Sequence, residues 1–269
     1  MRKIKLVLVV LLLVLAGLTA ATELYFKAGE DTTPPVISCD QEVLEVSVKA
    51  EEKELLQGVT ARDNRDGDLT GQIVVDHIST LVTADTAKIS YVVFDSANNV
   101  GKLTRTIRYT DYETPRFQLS GPLRYQVGNT VTLLDRLSAQ DVLDGDITNS
   151  IRMTTQNLNI AMEGIYSITL QVTNSLGDTS ILPLSVIIQA GSGLPEIKLS
   201  EYLIYMKTGE SFAPASYLRQ VTDPGRTVSK DDVTIDSNVD VDKAGVYEVY
   251  YRYEGQNGTG LAILTVVVE

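Results

Sequence analysis

Two stretches of this chain carry aspartates at the same spacing, and this arrangement could bind a cation. The members are Asp63, Asp66, Asp68, Asp141, Asp144 and Asp146. Carboxylates crowded on one loop repel one another unless a cation or hydrogen-bond donors neutralise them. Ca²⁺ takes six to eight hard oxygen ligands in flexible geometry, so an aspartate-rich loop suits it. We therefore interpret both stretches as candidate calcium sites.

The same residues have a second interpretation as turn formers. Aspartate side chains accept hydrogen bonds from nearby backbone N–H groups, and Asp-Gly is a common turn pair, present here as Asp66-Gly67 and Asp144-Gly145. The spacing also differs from that of an EF-hand loop, which needs a Glu at its twelfth position. Both interpretations, calcium binding and turn formation, stay open at the level of the sequence.

Other kinds of chemistry are limited by composition. The 269 residues include one histidine, His77, and one cysteine, Cys39, which excludes a multi-histidine metal site and an intrachain disulfide. With no credible base partner for a nucleophile, we predict that the chain is not an enzyme and carries no cofactor other than calcium. A net charge of −12 disfavours nucleic acid as a partner.

The acidic stretches belong to an internal repeat. Residues 55–73 and 133–151 share the pattern L-L-x-x-x-[ST]-A-x-D-x-x-D-G-D-[LI]-T-x-x-I. A second shared segment follows each of them, at 89–96 and 168–175, and residues 245–253 resemble 164–172. The chain therefore contains three repeats of about 80 residues.

Apolar residues alternate with polar ones inside the repeats, as in Ile89, Tyr91 and Val93, which predicts six or seven strands per repeat in antiparallel sheets. Strands of this number and size favour an all-β fold of three tandem immunoglobulin-like β-sandwiches after an N-terminal hydrophobic segment. Pro and Gly clusters mark the junctions. The predicted organisation is a signal peptide or signal anchor at 1–21, a linker at 22–33, and repeats at 34–112, 113–190 and 191–269.

In such a sandwich the acidic loop lies at the same end as the loop after the later strand that carries Tyr91. We expect Asp95 to join the first acidic loop at this end, where the chain also enters the repeat. For the second repeat the entering linker supplies Asp111 and Glu113. The hypothesis is a calcium ion that stiffens the junction between the first and second repeats. The third repeat, with few acids in its loop and linker, should lack it.

The N-terminus has the pattern of an export signal. Three positive charges in residues 1–5 precede an apolar run from Leu6 to Leu18, and small residues follow up to Ala21. Cleavage after Ala21 and retention as a membrane anchor are both open. In either case we expect the remainder to be exported, to the outer face of the cytoplasmic membrane or to the cell surface and medium, because the basic end stays inside.

The repeat motifs resemble a known family. The string from Val59 to Thr70 and the later Tyr91 to Asn99 are similar to bacterial surface immunoglobulin-like repeats of the pesticidal-crystal-protein type, and to hyalin-type repeats, although Asn98 stands where that family has Gly. The resemblance covers residues 34–269, most weakly in the third repeat. It implies exported, non-catalytic tandem modules that act as a stalk and interaction surface. Alternatives are an adhesion module for a glycan or matrix protein, and an accessory part of an extracellular enzyme system.

Overall fold

The computed structural model describes residues 2–269, apart from the side chains of residues 2–7, 23–29 and 156. The chain divides into two compact units, Met1–Thr110 and Asp111–Glu269. The first unit contains the first predicted repeat, and the second unit contains the other two.

The N-terminal segment forms helix α1, Arg2–Gly29. Its large apolar side chains between Leu8 and Leu18 are exposed. The predicted signal or anchor at 1–21 falls partly on residues 1–7, whose side chains lie outside the described part. Within the described part of the chain, no helix has the length and apolar character needed to cross a membrane.

The first unit continues as a two-sheet sandwich. Its elements are β1 Val36–Cys39, β2 Val43–Val46, α2 Glu52–Leu55, β3 Val59–Asp63, β4 Gly67–Asp68, β5 Val74–Ile78, β6 Thr86–Phe94 and β7 Val100–Tyr109. One sheet has the order β1-β3-β4 and the other β2-β7-β6-β5. Ile89, Tyr91 and Val93 on β6 are fully buried, as the alternating pattern predicts.

The second unit begins with a sandwich of the same order. Its strands are β8 Arg116–Leu119, β9 Arg124–Gln126, β10 Leu137–Asp141, β11 Gly145–Asp146, β12 Arg152–Gln156, β13 Gly164–Thr173 and β14 Thr179–Gln189. The sheets are β8-β10-β11 and β9-β14-β13-β12. Its core contains Phe117, Ile168, Leu170 and Leu184.

The third repeat repeats this plan with one strand fewer. Its strands are β15 Glu196–Leu199, β16 Leu203–Met206, β17 Leu218–Thr222, β18 Thr234–Ser237, β19 Gly245–Gly255 and β20 Gly258–Val268. The sheets are β15-β17 and β16-β20-β19-β18. Val249, Tyr251 and Tyr253 on β19 lie in its core, and the Tyr247 hydroxyl donates to the Lys243 carbonyl at 2.9 Å.

The all-β, immunoglobulin-like prediction is confirmed by these sheets. The expectation of purely antiparallel sheets is wrong in one respect, because each repeat has one parallel pair: β2 with β7, β9 with β14, and β16 with β20. The reason is that the chain leaves the first sheet after its opening strand. It then continues in the same direction along the edge of the second sheet.

The second and third repeats pack face to face. Ile187 on the outer face of β14 contacts Leu261 and Ile263 on the outer face of β20, and all three are at least nine-tenths buried. The Gln189 side chain donates to the Thr259 carbonyl at 3.1 Å. These contacts explain why residues 111–269 form one compact unit.

A second contact between these repeats involves Tyr205 on β16. Its hydroxyl accepts the Phe117 N–H at 3.0 Å. The guanidinium of Arg116 lies 5.0 Å from the centre of the Tyr205 ring and pairs with Glu269. Burial raises the pKa of the Tyr205 hydroxyl, in keeping with a neutral phenol at this contact.

Candidate metal centre

The acidic loop of the first repeat is organised by Asp63, the last residue of β3. Its Oδ1 accepts the N–H groups of Arg65 at 2.7 Å and Asp66 at 2.9 Å. These backbone hydrogen bonds lower the pKa of Asp63, so the carboxylate is ionised at neutral pH. Its other oxygen, Oδ2, is shielded from solvent and accepts no hydrogen bond within the described residues.

Asp95 follows β6 and comes from the opposite sheet. Its Oδ1 accepts the N–H groups of Ala97 at 2.9 Å and Asn99 at 2.7 Å, and its Oδ2 accepts the Asn99 side-chain amide at 2.8 Å. Asp95 is 6% exposed. The same Asn99 amide donates to the Asp31 carbonyl at 2.9 Å, which holds the entering segment against this loop.

The entering segment contributes a third carboxylate, Asp31. One ligand oxygen from each of Asp31, Asp63 and Asp95 lies within 4.8 Å of one from each of the others. The Asp31 side chain is 9% exposed, and the nearest cation described is Arg65, whose Nε is 3.7 Å from Asp31 Oδ2. The arrangement can bind a hard cation through carboxylate oxygens.

Sequence reasoning placed Asp63 and Asp95 together but missed Asp31. A signal was available, because Asp31 lies as far before Pro35 as Asp111 lies before Pro115. Both prolines directly precede the first strand of their repeat.

The other two acids of the first loop form turn contacts. The Asp66 carboxylate accepts the Ser96 N–H at 2.5 Å and its hydroxyl at 2.9 Å, which joins the two loops. Asp68 Oδ1 accepts the Thr70 N–H at 2.9 Å. Hydrogen bonds from Thr70 lower the pKa of Asp68. For these two residues the geometry matches the turn-forming interpretation.

In the second repeat the equivalent end is closed by hydrogen bonds. Asn174 takes the place of Asp95, and its side-chain amide donates to Asp141 Oδ2 at 3.0 Å and to the Tyr112 hydroxyl at 2.8 Å. The Tyr112 hydroxyl in turn donates to Asp178 at 2.8 Å. Burial, with Asp178 as the next cause, raises the pKa of Tyr112. The linker before the second repeat therefore contacts the predicted end of the sandwich through the Tyr112 side chain.

The remaining acids near this junction are engaged separately. Asp144 accepts the Ser175 N–H and hydroxyl, each at 2.6 Å, and Asp146 accepts the Thr148 N–H at 2.9 Å. Glu113 is exposed and lies 3.7 Å from Arg116, and Asp111 is exposed as well. No cluster of three metal-ligating side chains like that of the first repeat forms around Asp141 in the described part of the chain.

The third repeat has the fewest acids at this end. Asp223 occupies the position of Asp63 and is buried, with Arg226 Nη1 at 4.0 Å. Gly255 stands where the first repeat has Asp95, and a Cβ at this glycine would lie 3.0 Å from Asp223 Oδ2. One buried carboxylate beside one guanidinium leaves a smaller negative charge here than in the first repeat.

Known proteins resemble this chain in sequence. Residues 205–265, in the third repeat, match the family of bacterial Ig-like domains (group 3). The pesticidal crystal protein Cry22Aa of Bacillus thuringiensis is 27% identical over 209 residues, which are 74% of this chain and 28% of that protein. This chain therefore spans little more than a quarter of the length of that relative.

Solved structures also align with this chain at low similarity. The M60 catalytic domain with two CBM51 domains of Clostridium perfringens ZmpB is 11% identical, over 88% of this chain and 31% of that one, with a TM-score of 0.24. The lipoprotein BT2262 of Bacteroides thetaiotaomicron is 12% identical, over 56% of this chain and 98% of that one, with a TM-score of 0.25. Mouse cadherin-23 EC22-24 is 12% identical, over 88% of this chain and 99% of that one, with a TM-score of 0.21. Scores this low support no statement about function.

The family match falls on the third repeat, which departs most from the repeat motif. The first two repeats carry the motif by which the chain resembles pesticidal-crystal-protein repeats. The family match and the relation to Cry22Aa together confirm that this chain resembles the bacterial Ig-like repeat family.

Proposed function

We propose that this chain is a non-catalytic, exported surface protein whose Ig-like modules form a stalk and present an interaction surface. The observation that carries the proposal is the face-to-face contact of β14 and β20, which joins two sandwiches into one unit. We expect this apolar contact, together with the hydrogen bonds beside it, to restrict bending between the two modules. A pair of modules restrained in this way suits mechanical support and display.

Export is the part of this proposal that the N-terminus supports. In intact cells that express the full chain, we expect added protease to degrade the repeats while a cytoplasmic marker survives. Replacing Leu11 and Leu13 by Arg should retain the chain inside the cell, because two charges interrupt the apolar run. Replacing exposed Lys207 and Lys230 by Arg is the control. Protection of the unmodified chain from protease would overturn export.

The non-catalytic part is tested on the purified full chain. We expect no turnover of polysaccharide, peptide or ester substrates above that of a buffer control. Hydrolysis that co-purifies with the chain and is lost on replacing one of its acidic residues would overturn this part. The accessory role in an extracellular enzyme system would instead show as faster hydrolysis by a partner enzyme when the chain is added.

An adhesion role for a glycan is the second candidate, and one groove favours it. A groove of about 450 Å³ lies between β8 and β16, lined by Tyr202, Tyr205 and Tyr217 together with polar groups such as Gln118 and Glu201. Aromatic faces beside hydrogen-bonding side chains are the features with which proteins hold sugars. We expect binding on a glycan array to be lost in Tyr217→Ala with Glu201→Ala, and retained in Glu210→Ala. Binding by neither the full chain nor its variants would remove this candidate.

A further inference from the structure

Three carboxylates meet at the end of the first repeat where the chain enters it. Asp31 comes from the entering segment, Asp63 from the end of β3 and Asp95 from the end of β6. Asp95 is buried, and the Asp31 side chain is about nine-tenths buried. Carboxylates that lie this close together with so little water repel one another unless a positive charge lies between them.

A second observation comes from hydrogen bonding. Asp63 Oδ2 has no contact with solvent and no hydrogen-bond partner among the described residues, although its other oxygen accepts two. Buried carboxylate oxygens are ordinarily satisfied by a donor or by a metal ion. An unpartnered oxygen beside two further carboxylates indicates a ligand that is not part of the protein chain.

The second repeat shows how the same position is satisfied without an ion, and the third repeat carries less charge there. In the second repeat the Asn174 amide donates to Asp141, the counterpart of Asp63. In the third repeat Asp223 Oδ2 likewise has no hydrogen-bond partner in the described part. There, however, the Arg226 guanidinium lies 4.0 Å away and Gly255 removes the second carboxylate, so the charges do not accumulate. The first repeat has neither an amide nor a guanidinium within hydrogen-bonding distance of Asp63 Oδ2 in the described part.

We propose that the first repeat binds one divalent cation through the carboxylates of Asp31, Asp63 and Asp95, and that this cation is Ca²⁺. The ligand set contains only oxygen atoms and no histidine or thiolate, which favours a hard ion over zinc or copper. Ca²⁺ tolerates irregular geometry and completes its shell with water, whereas Mg²⁺ requires a near-octahedral site. The inference does not depend on the surface role proposed above.

The cation would have a mechanical consequence. Its ligands come from both loops of the sandwich and from the segment that precedes β1, so binding would fix that segment to the repeat. In the second repeat the hydrogen bonds of Tyr112 to Asp178 and Asn174 make the corresponding connection without an ion. In the first repeat calcium would thus strengthen an attachment that the Asn99 amide already makes to the Asp31 carbonyl.

The guanidinium of Arg65 would compete with a bound cation for the Asp31 carboxylate. Its Nε lies 3.7 Å from Asp31 Oδ2, and its side chain is 52% exposed, so it can move into solvent when an ion binds. Removing its charge should strengthen calcium binding several-fold. Arg65→Gln is therefore a variant whose effect is opposite to that of the ligand variants.

The test uses the full chain, stripped with a chelator and titrated with CaCl₂ by calorimetry and thermal unfolding. We expect one ion per chain and a rise in the melting temperature of the first unit, with a weaker response to MgCl₂. Asp95→Asn should lose the calcium response yet be at least as stable as the unmodified chain in chelator, because it imitates Asn174. Asp76→Asn, on exposed β5, removes the same charge elsewhere and should respond as the unmodified chain does.

Two outcomes would overturn the proposal. One is an unmodified chain that neither binds calcium nor changes its melting temperature at millimolar concentration. The other is the finding that the variants Asp95→Asn and Asp31→Asn both bind calcium as tightly as the unmodified chain does. Asp31 lies outside the strands, so Asp31→Asn keeps the test decisive if changes at Asp95 prevent folding.

Discussion

The side-chain amide of Asn174 donates a hydrogen bond to Asp141 at 3.0 Å. At the aligned positions of the first repeat, Asp95 and Asp63 are both carboxylates, and one oxygen of each lies within 4.8 Å of the other. At this pair of positions the two repeats differ by one chemical group, an amide in place of a carboxylate. In the second repeat the amide lets hydrogen bonds close this end of the sandwich. In the first repeat the two carboxylates need a cation to offset their charge.

Asn174→Asp should convert the second repeat toward the charge pattern of the first. The change removes a buried hydrogen bond and places a second carboxylate against Asp141, at a cost of about 2 kcal/mol in the free energy of unfolding without metal. Urea unfolding followed by circular dichroism, in chelator, measures this cost. Part of the loss should be recovered in millimolar CaCl₂. Asn174→Ala, which adds no charge, should be destabilised without recovery, and equal stability of Asn174→Asp and the unmodified chain would contradict the assignment.

Ile187→Ala should weaken the contact between the second and third repeats. The residue is 3% exposed between β14 and β20, and truncating a buried isoleucine costs about 2–4 kcal/mol. Urea unfolding should show a single transition for residues 111–269 in the unmodified chain and two separated transitions in the variant. Ile181→Ala, 61% exposed on the same strand, should change stability by less than about 0.5 kcal/mol. A single transition of unchanged midpoint for Ile187→Ala would show that the contact contributes nothing.

Gly101→Ala should destabilise the first repeat because the backbone approaches too closely there for a side chain. A Cβ at Gly101 would lie 2.2 Å from the Pro35 carbonyl oxygen, and forced overpacking costs about 1–3 kcal/mol. Thermal unfolding should show a lower midpoint for the first unit. Gly71→Ala is the matched control, because a Cβ there meets nothing within 4 Å. A normal midpoint for Gly101→Ala would mean that β1 and β7 separate easily.

Tyr250 should make the second unit sensitive to alkali. Burial, followed by the hydrogen bond to Glu248 at 2.5 Å, raises the pKa of Tyr250 to about 12, compared with about 10 in an unfolded chain. A raised pKa means that the folded state holds its proton longer, so this stabilisation is complete below pH 10 and is lost between pH 10 and 12. The free energy of unfolding should fall over this range, and less steeply in Tyr250→Phe. Equal slopes for the two proteins would contradict the raised pKa.

Local patterns in the sequence determine a large part of this molecule. Alternation at Ile89, Tyr91 and Val93 determines which face of β6 is buried, because side chains alternate across a strand. Asp66-Gly67 and Asp144-Gly145 predict tight turns, since glycine reaches the positive φ of 77° and 70° found there. Repetition of these signals predicts the all-β class and the end of the sandwich at which the acidic loops lie.

The tertiary structure alone decided that Asp31 joins Asp63 and Asp95 and that the other acids of the loop do not. Asp31, Asp63 and Asp95 are far apart in the chain, and the distances between their oxygens depend on how two sheets and an entering segment pack. Asp66 has the same residue type and the same loop as Asp63, yet it bonds to Ser96 and not to the cluster. The contact between Ile187 and Ile263 likewise needed the structure. Apolar residues on both faces of a strand indicate burial, but pairing of those faces depends on shape and distance, which spacing along a sequence does not encode.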